Sequence, residues 1–517
     1  MSERHTFYAV LAINVILLLS VKFYPSMDGP AHLHNSNLLG RLFMGEPALT
    51  RFFSINGFVL PNWTGHFILA AFNLFLPAWL AEKVLLIFYI AGIAVSFRLL
   101  VSTLNNEWKG LSILIFPFAY SFLFYLGFYN FALSFVFLFF TLYFWIKAYV
   151  SGGFGAYFKV FIFLTLTYYS AILTFFFAGL SMGLLTLALS AGSLSANGGH
   201  SREAFKKAGK SLLYLFFISL PLLVLAILFV TSVQFSPASD RLTTHELLKW
   251  LVDVRSLIVY NYDGDQWVTQ FFFYLLLIIA AISIFLRFKR QAGSFFQPAD
   301  VILIPFFLAL ALFFCVPNSA GAGMMSDRYC LLVYIFFVLW ASSLKIPRNA
   351  GRVFIAVVVL LHMGLLLKHH NSGIRKLNKH AVQINGASVY IQKNSIVLPV
   401  NMSDNWMEPN FSNYLGVDKP MVILDNYEAS LGWFPLQWDG VNFPRLQAGG
   451  ADQINGIGWL TNTAAPIKQI DYIFLYGNLA KLNENKWESL KCILEKHYHM
   501  TFYTSDNYLA VYKFVND

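Results

Sequence analysis

The chain has 517 residues, of which 57% are hydrophobic, 18% aromatic and only 12% charged. Soluble globular proteins carry about 25% charged residues, so this composition excludes a disordered chain and a soluble cytoplasmic enzyme. The net charge of +10 does not indicate a nucleic-acid-binding protein, because residues 1–370 carry 24 Lys and Arg against 13 Asp and Glu, whereas residues 371–517 carry 12 against 13. The basic excess lies between apolar runs, where it sets membrane orientation. The composition therefore predicts a polytopic membrane protein.

Apolar runs long enough to cross a bilayer recur through the first 370 residues. A hydrocarbon core about 30 Å thick needs roughly 20 mainly apolar residues per helix. Such runs lie near 6–22, 60–80, 83–103, 110–126, 129–149, 157–191 (two crossings that meet near 168–170), 211–231, 267–287, 300–317, 328–344 and 352–368. The sequence thus predicts about 11–13 transmembrane helices, the first of them a retained signal anchor.

Lys and Arg in short loops predict the orientation of these helices. Three basic loops are predicted to be cytoplasmic: 202–210, 287–290 and 345–352. Counting crossings from them places the tail from residue 371 outside. Arg4 places the N-terminus inside and the loop 23–57 outside. The two counts disagree by one crossing between residues 58 and 110, and the sequence leaves this open.

Two loops and the tail have patterns of their own. The loops at 36–53 and 241–260 carry apolar residues at helical spacing, which is typical of short amphipathic helices in the membrane interface. These helices would either cover a site that receives a lipid-borne substrate or merely seal helix ends. The tail, 371–517, is long enough for its own core. Its predicted elements are strands at 395–400, 422–424 and 470–475, a helix at 481–496 and a strand pair at 499–515. The sequence therefore predicts a transmembrane domain, 1–370, followed by a soluble α/β domain, 371–517.

The most informative polar residues follow the first apolar run. Asp28 stands among turn-forming residues, and His32 and His34 follow it. Ionisable residues cost free energy near hydrocarbon and are therefore candidates for function. Asp28 could catalyse, or it could cap a helix that begins near Pro30, and the two roles are compatible. The two histidines could orient Asp28, contact a phosphate or bind a metal. The sequence offers no further ligand nearby, so no metal or other cofactor is expected.

This arrangement resembles the GT-C superfamily of membrane glycosyltransferases. Members combine a catalytic Asp in the first outer loop with amphipathic loop helices, aromatic-rich membrane helices and a terminal soluble domain. The resemblance implies a polyprenyl-phosphate-linked sugar donor, an acceptor on a glycolipid, polysaccharide or protein, and Asp28 as the base that deprotonates this acceptor. Many relatives carry a second acid beside the Asp, whereas Gly29 follows it here. One base is sufficient for inverting transfer, because the phosphate leaves without protonation.

Three further residues are candidates for holding the donor. Charge accumulates on the departing phosphate, which therefore needs a cationic partner. Arg328 ends a polar, Gly-rich loop, 317–328, and its planar fork suits phosphate oxygens, although it could equally anchor the helix that follows. Lys83, in a short turn between apolar runs, is a second candidate. Asn130, in the break at 127–131, could bond a sugar hydroxyl if it faces outward, or could simply lie in a tight helical hairpin.

Two other polar stretches have a structural explanation. His66 is interpreted as a buried polar residue that a neighbouring group satisfies. In the tail, the segment 425–428 follows a predicted strand and precedes several aromatic residues. Carboxylates beside aromatic rings can hold sugars, but polar residues at strand ends beside a core are commoner.

These features favour a glycosyltransferase. It would lie in a bacterial inner membrane, with its site and its tail on the periplasmic face. Its partners would be the donor, the acceptor and the lipid bilayer, without nucleic acid. A transporter or flippase of a lipid-linked saccharide is a second class, but such proteins often show internal repeats and midplane charges, and this sequence shows neither. A third class, a non-catalytic scaffold that presents the tail, would tolerate loss of Asp28.

Overall fold

The computed structural model describes residues 3–196, 201–233, 240–289, 295–321, 323–439 and 470–515. Residue 290 of the predicted basic loop and residue 322 of the Gly-rich loop lie outside this part of the chain. The chain forms two units. We call Met1–Leu18, Ile87–Tyr125 and Tyr129–Asn371 the membrane unit, and Leu19–Leu86, Leu126–Phe128 and Ser372–Asp517 the tail unit. Residues 19–86, which the sequence places in the transmembrane domain 1–370, belong to the tail unit.

The described helices are, in chain order, α1 Glu3–Leu19, α2 Gly29–Phe43, α3 Trp63–Asn73, α4 Ala78–Leu104, α5 Phe116–Ala119, α6 Phe122–Tyr125, α7 Tyr129–Ser151, α8 Phe154–Ser170, α9 Ile172–Ala196, α10 Ser201–Ser232, α11 Thr244–Val252, α12 Tyr262–Lys289, α13 Leu303–Cys315, α14 Met325–Ser343, α15 Arg348–His369, α16 Arg375–Ala387 and α17 Glu488–His497. The strands are β1 Phe53–Ile55, β2 Ile396–Met402, β3 Val422–Ile423, β4 Leu436–Trp438, β5 Tyr472–Gly477, β6 Tyr498–Tyr503 and β7 Leu509–Phe514.

Eight helices in the described part of the chain are long and apolar enough to cross a membrane: α4, α7, α9, α10, α12, α13 with the turn before it, α14 and α15. The chain is an integral membrane protein. Fewer helices qualify than the 11–13 apolar runs suggested. The run at 60–80 yields α3, which has only 11 residues. The run at 110–126 is divided into short helices, one of which, α5, begins at Phe116 and has Pro117, which lacks an N–H group, in its first turn. A break near 168–170 is present as predicted, since α8 ends at Ser170 and α9 begins at Ile172, but α8 has only 17 residues and is not among the eight.

A buried ion pair joins two helices of the membrane unit. Arg287, near the end of α12, donates to both carboxylate oxygens of Asp300 at 2.7 and 3.0 Å. The indole N–H of Trp340, on α14, donates to the same carboxylate at 3.0 Å. A buried charge is tolerated when it is paired and hydrogen-bonded, and this bidentate geometry supplies two of the hydrogen bonds of Arg287.

The tail unit contains the predicted α/β domain. Its five-stranded sheet has the order β3-β2-β5-β7-β6, in which β3, β2 and β5 are parallel and β7 is antiparallel to both β5 and β6. The registers pair Val397 with Tyr472 and Ile473 with Tyr512. Five of the seven β2 residues and all six β5 residues are buried, as the continuous apolar runs of parallel strands require. Leu490, on α17, belongs to the same core.

Helix α2 differs from the predicted amphipathic helix at 36–53. It begins earlier, at Gly29, and ends at Phe43, and its first 12 residues are buried in the tail unit. Polar residues of α2 bond tail residues, as in the contact of the Asn37 amide with the Gly416 carbonyl at 2.8 Å. These bonds explain why residues 19–86 belong to the tail unit. The second predicted helix is present as α11, which begins with a capping box of Thr243 and Glu246.

Candidate active site

Asp28 occupies the N-cap position of α2, but its side chain does not cap that helix. The carboxylate instead accepts a hydrogen bond from the Asn410 amide at 2.9 Å and another from the Tyr427 hydroxyl. Its backbone N–H donates to the carbonyl of Leu126 at 2.9 Å. The residue is 7% exposed. The capping explanation of Asp28 is therefore wrong, because side chains from the distant tail hold the carboxylate.

Burial changes the acidity of this carboxyl group. It raises the pKa of Asp28 from 3.8 to about 7, although the nearby His32 acts in the opposite direction. A base is most effective when its pKa lies near the working pH. The environment therefore makes Asp28 a better proton acceptor at neutral pH than an exposed aspartate.

Gly127 allows the backbone to approach the Asp28 turn closely. Its φ angle is +90°, which residues with a β-carbon rarely adopt. A β-carbon at this position would lie 2.7 Å from the Gly29 nitrogen and 2.9 Å from the Ser26 hydroxyl. The Gly127 carbonyl also accepts a hydrogen bond from Nε2 of His32 at 2.9 Å. The helix break predicted at 127–131 thus contributes to the site through its backbone.

Three ionisable side chains meet next to this turn. Nδ1 of His32 lies 2.6 Å from Oε1 of Glu428, and Nε2 of His66 lies 2.9 Å from Oε2. The same two ring nitrogens are 3.3 Å apart. Burial alone would raise the pKa of Glu428, but the two histidines hold it well below its usual range. We call these three residues the His–Glu cluster. His66 is satisfied by a neighbour, as predicted, yet that neighbour is an acidic residue of the tail.

His34, the second predicted histidine, does not join the cluster. Its ring nitrogens lie 2.9 Å from the Asn413 side-chain oxygen and 3.1 Å from the Met421 carbonyl. Burial lowers its pKa below the ordinary value. The ring also fills the space over Gly416, where a β-carbon would lie 2.4 Å from it. The structure therefore gives His34 a role in attaching α2 to the tail.

Lys83 is buried in the tail unit, in the first turns of α4. It is 1% exposed, and its ammonium group lies 5.7 Å from the centre of the Tyr24 ring. Among the described residues, none accepts a hydrogen bond from it. Its neighbour Glu82 accepts a hydrogen bond from the Tyr24 N–H at 2.8 Å. A buried ammonium group that lacks an acceptor is suited to binding an anion.

The whole chain was compared with known proteins and structures. By sequence, no family model and no curated protein matches it. By structure, it is similar to ArnT from Cupriavidus metallidurans in the apo state, with a TM-score of 0.53 and 10% identity over 98% of this chain and 97% of that one. It is also similar to ArnT from the same organism bound to undecaprenyl phosphate, with a TM-score of 0.54 and 10% identity over 99% and 98%. ArnT is a GT-C glycosyltransferase. The chain has the GT-C fold.

Two other predicted residues lie in the membrane unit. Asn130 is in the first turn of α7 and is 6% exposed. The Arg328 guanidinium, in the first turn of α14, lies 5.0 Å from the centre of the Phe131 ring, and its Nε donates to the Gly323 carbonyl at 3.2 Å. Asp327 is 3.7 Å from Arg255. The membrane unit thus brings the segment of Asn130 together with Arg328, and their roles stay predictions.

Sequence reasoning missed the partners that the tail supplies around Asp28 and His32. Glu428 comes from a segment that the sequence explains as strand-end residues, and Asn410 comes from a segment with no predicted element. Their contacts with α2 join positions almost 400 residues apart. The only signal in the sequence was the excess of amide and acidic side chains at 425–428, next to a predicted strand.

Proposed function

We propose that this protein is a membrane glycosyltransferase that moves a sugar from a polyprenyl-phosphate-linked donor to an acceptor. The observation that carries the proposal is the GT-C fold, shared over 99% of the chain with a structure bound to undecaprenyl phosphate. The position of Asp28 supports it, because this buried carboxylate follows the first helix, as the family pattern requires.

In the proposed reaction, Asp28 is the base. Its carboxylate takes the proton of the acceptor hydroxyl as that oxygen attacks the anomeric carbon. The bond between this carbon and the phosphate oxygen breaks, and polyprenyl phosphate leaves with the electron pair. One displacement of this kind inverts the anomeric centre. The hydrogen bonds from Asn410 and Tyr427 hold the carboxylate in a fixed orientation.

Cationic side chains would stabilise the departing phosphate. Lys83 is suited to this role because no described residue accepts a hydrogen bond from its buried ammonium group. Arg328 is the second candidate, since it stands at the start of a helix beside a polar loop. Asn130 is proposed to bond a sugar hydroxyl. His32 is proposed to orient the site through its contacts with the Gly127 carbonyl and Glu428.

We place the enzyme in a bacterial inner membrane, with the tail unit on the periplasmic side. The basic loops support this orientation through the positive-inside rule. The acceptor would then be a glycolipid, a polysaccharide or a protein of the cell envelope.

The experiment compares Asp28→Asn with Asp404→Asn, which removes an exposed carboxylate of the same unit whose side chain is 81% accessible. Each variant is returned to a deletion strain, and the envelope glycan is profiled by mass spectrometry. Loss of a general base lowers rates by about 10²–10⁴-fold, so Asp28→Asn should lose the glycan at normal protein level while Asp404→Asn keeps it. If Asp28→Asn restores the full glycan, Asp28 is not the base, and a transporter or scaffold explains the phenotype better.

A further inference from the structure

The His–Glu cluster presents three electron-pair donors to one point. Among the described residues, His32, His66 and Glu428 form a group of metal-ligand type, whose ligand atoms lie within 4.8 Å of one another. The three side chains are almost inaccessible, with 6%, 2% and 0% exposed. They come from α2, α3 and the short helical turn Glu428–Ser430, so the tertiary fold of the tail unit alone assembles them.

The outer nitrogen of each ring faces a backbone carbonyl. Nε2 of His32 is 2.9 Å from the Gly127 oxygen, and Nδ1 of His66 is 3.1 Å from the Asn62 oxygen. A carbonyl oxygen only accepts hydrogen bonds, so these outer nitrogens carry the protons of the neutral rings. In these tautomers the inner nitrogens, Nδ1 of His32 and Nε2 of His66, turn their lone pairs toward Glu428. Metal-binding histidines are oriented in this way, by a carbonyl that holds the opposite N–H.

The Glu428 carboxylate is the third group that faces the two inner ring nitrogens. Oε2 of Glu428 accepts a hydrogen bond from the Asn35 amide at 2.7 Å, which fixes its orientation. Oε1 lies 2.6 Å from Nδ1 of the His32 ring, and the Tyr427 hydroxyl also contacts the carboxylate. A buried carboxylate costs free energy unless its charge is compensated by a cation.

A single divalent cation placed between these side chains would be attracted by all three donors. Each residue offers one ligand atom, and these atoms lie within 4.8 Å of one another in a buried site.

We propose that His32, His66 and Glu428 bind a divalent transition-metal ion. Two imidazoles and one carboxylate are ligands that suit Zn²⁺, and three protein ligands leave a coordination position open for water or an anionic oxygen. The site adjoins the predicted base, because Asp28 lies one helical turn before His32 and the Tyr427 hydroxyl contacts both Asp28 and Glu428. The inference goes beyond the expectation from sequence, which offered no ligand outside the segment 28–34.

The test measures metal in the full-length protein, purified from membranes in detergent without chelators. Plasma mass spectrometry should find about one transition-metal ion per chain. After chelation, Zn²⁺ should bind at one site and raise the melting temperature, because an ion that binds only the folded state stabilises it. His66→Ala and Glu428→Gln should weaken Zn²⁺ binding by more than the ~100-fold that loss of an outer-shell partner costs. The matched control is His34→Gln, which removes a buried histidine of α2 outside the cluster and should keep the ion.

A second measurement decides the question even if a variant fails to fold. X-ray absorption at the zinc edge of the wild-type protein should show imidazole scattering with Zn–N distances of about 2.0–2.1 Å. The proposal would be overturned if the wild-type protein bound Zn²⁺ no more tightly than Glu428→Gln, or if the spectrum showed no imidazole ligands. The three side chains would then form a cluster held together by shared protons. Because neither measurement uses a sugar donor, a failed metal site and a failed glycosyltransferase assignment give different results.

Discussion

Replacement of Gly127 by alanine tests how the backbone positions the Asp28 turn. The φ angle of +90° strains any residue with a β-carbon, at a cost of about 1–3 kcal/mol. The new methyl group would also lie 2.7 Å from the Gly29 nitrogen and 3.0 Å from the Asp28 nitrogen, and such overpacking costs about 1–3 kcal/mol more. Gly127→Ala should therefore lower the free energy of unfolding by about 2–6 kcal/mol and displace Asp28.

Gly153→Ala is the matched control. Gly153 has a similar φ of +96°, but a β-carbon added there would meet nothing within 4 Å. This variant should show only the backbone strain of about 1–3 kcal/mol and should keep the envelope glycan. Unfolding of both proteins in an SDS titration, together with the glycan profile, measures the difference. If Gly127→Ala and Gly153→Ala lost the same stability and both strains kept a normal glycan, the close backbone contact at Gly127 would not be what positions Asp28.

Two further predictions concern buried carboxylates. Burial raises the pKa of Asp425 from 3.8 to about 7, although the Ser412 hydroxyl donates a hydrogen bond to this carboxylate at 2.6 Å. The folded state therefore binds the carboxyl proton more tightly than the unfolded state does. The stability that this proton contributes is lost as the pH rises through 7. Asp425→Asn should reduce the fall in melting temperature between about pH 5 and pH 8, and an unchanged fall would contradict the assignment. Asp300→Ala leaves the Arg287 charge buried without its partner and should cost about 3–5 kcal/mol in the SDS titration. Glu107→Ala, which breaks an exposed pair, should cost under about 1 kcal/mol, and similar losses in the two variants would show that burial of the pair is unimportant.

Local patterns in the sequence predicted much of this protein. Apolar runs of membrane-spanning length predicted the helices of the membrane unit, and alternating elements predicted the sheet and helix of the tail. Turn residues predicted the break before α7 and the start of α2 near Pro30. These features depend on residues close together in the chain, where spacing and composition determine the local structure. Asp28 was identified for the same reason, since an ionisable residue beside an apolar run is costly unless it has a function.

The surroundings of Asp28 were decided only by the tertiary structure. The sequence predicts neither that Asn410 donates to this carboxylate nor that Glu428 meets His32 and His66, because these contacts join the first loop to the tail. Such pairings leave no periodic signal in the chain: a glutamate at a strand end looks the same whether it faces water or two imidazoles. The sequence alone therefore determined the membrane class, the α/β tail and one candidate carboxylate. Folding decided how that carboxylate is buried and which side chains form the cluster beside it, because burial and charge pairing are properties of the assembled fold.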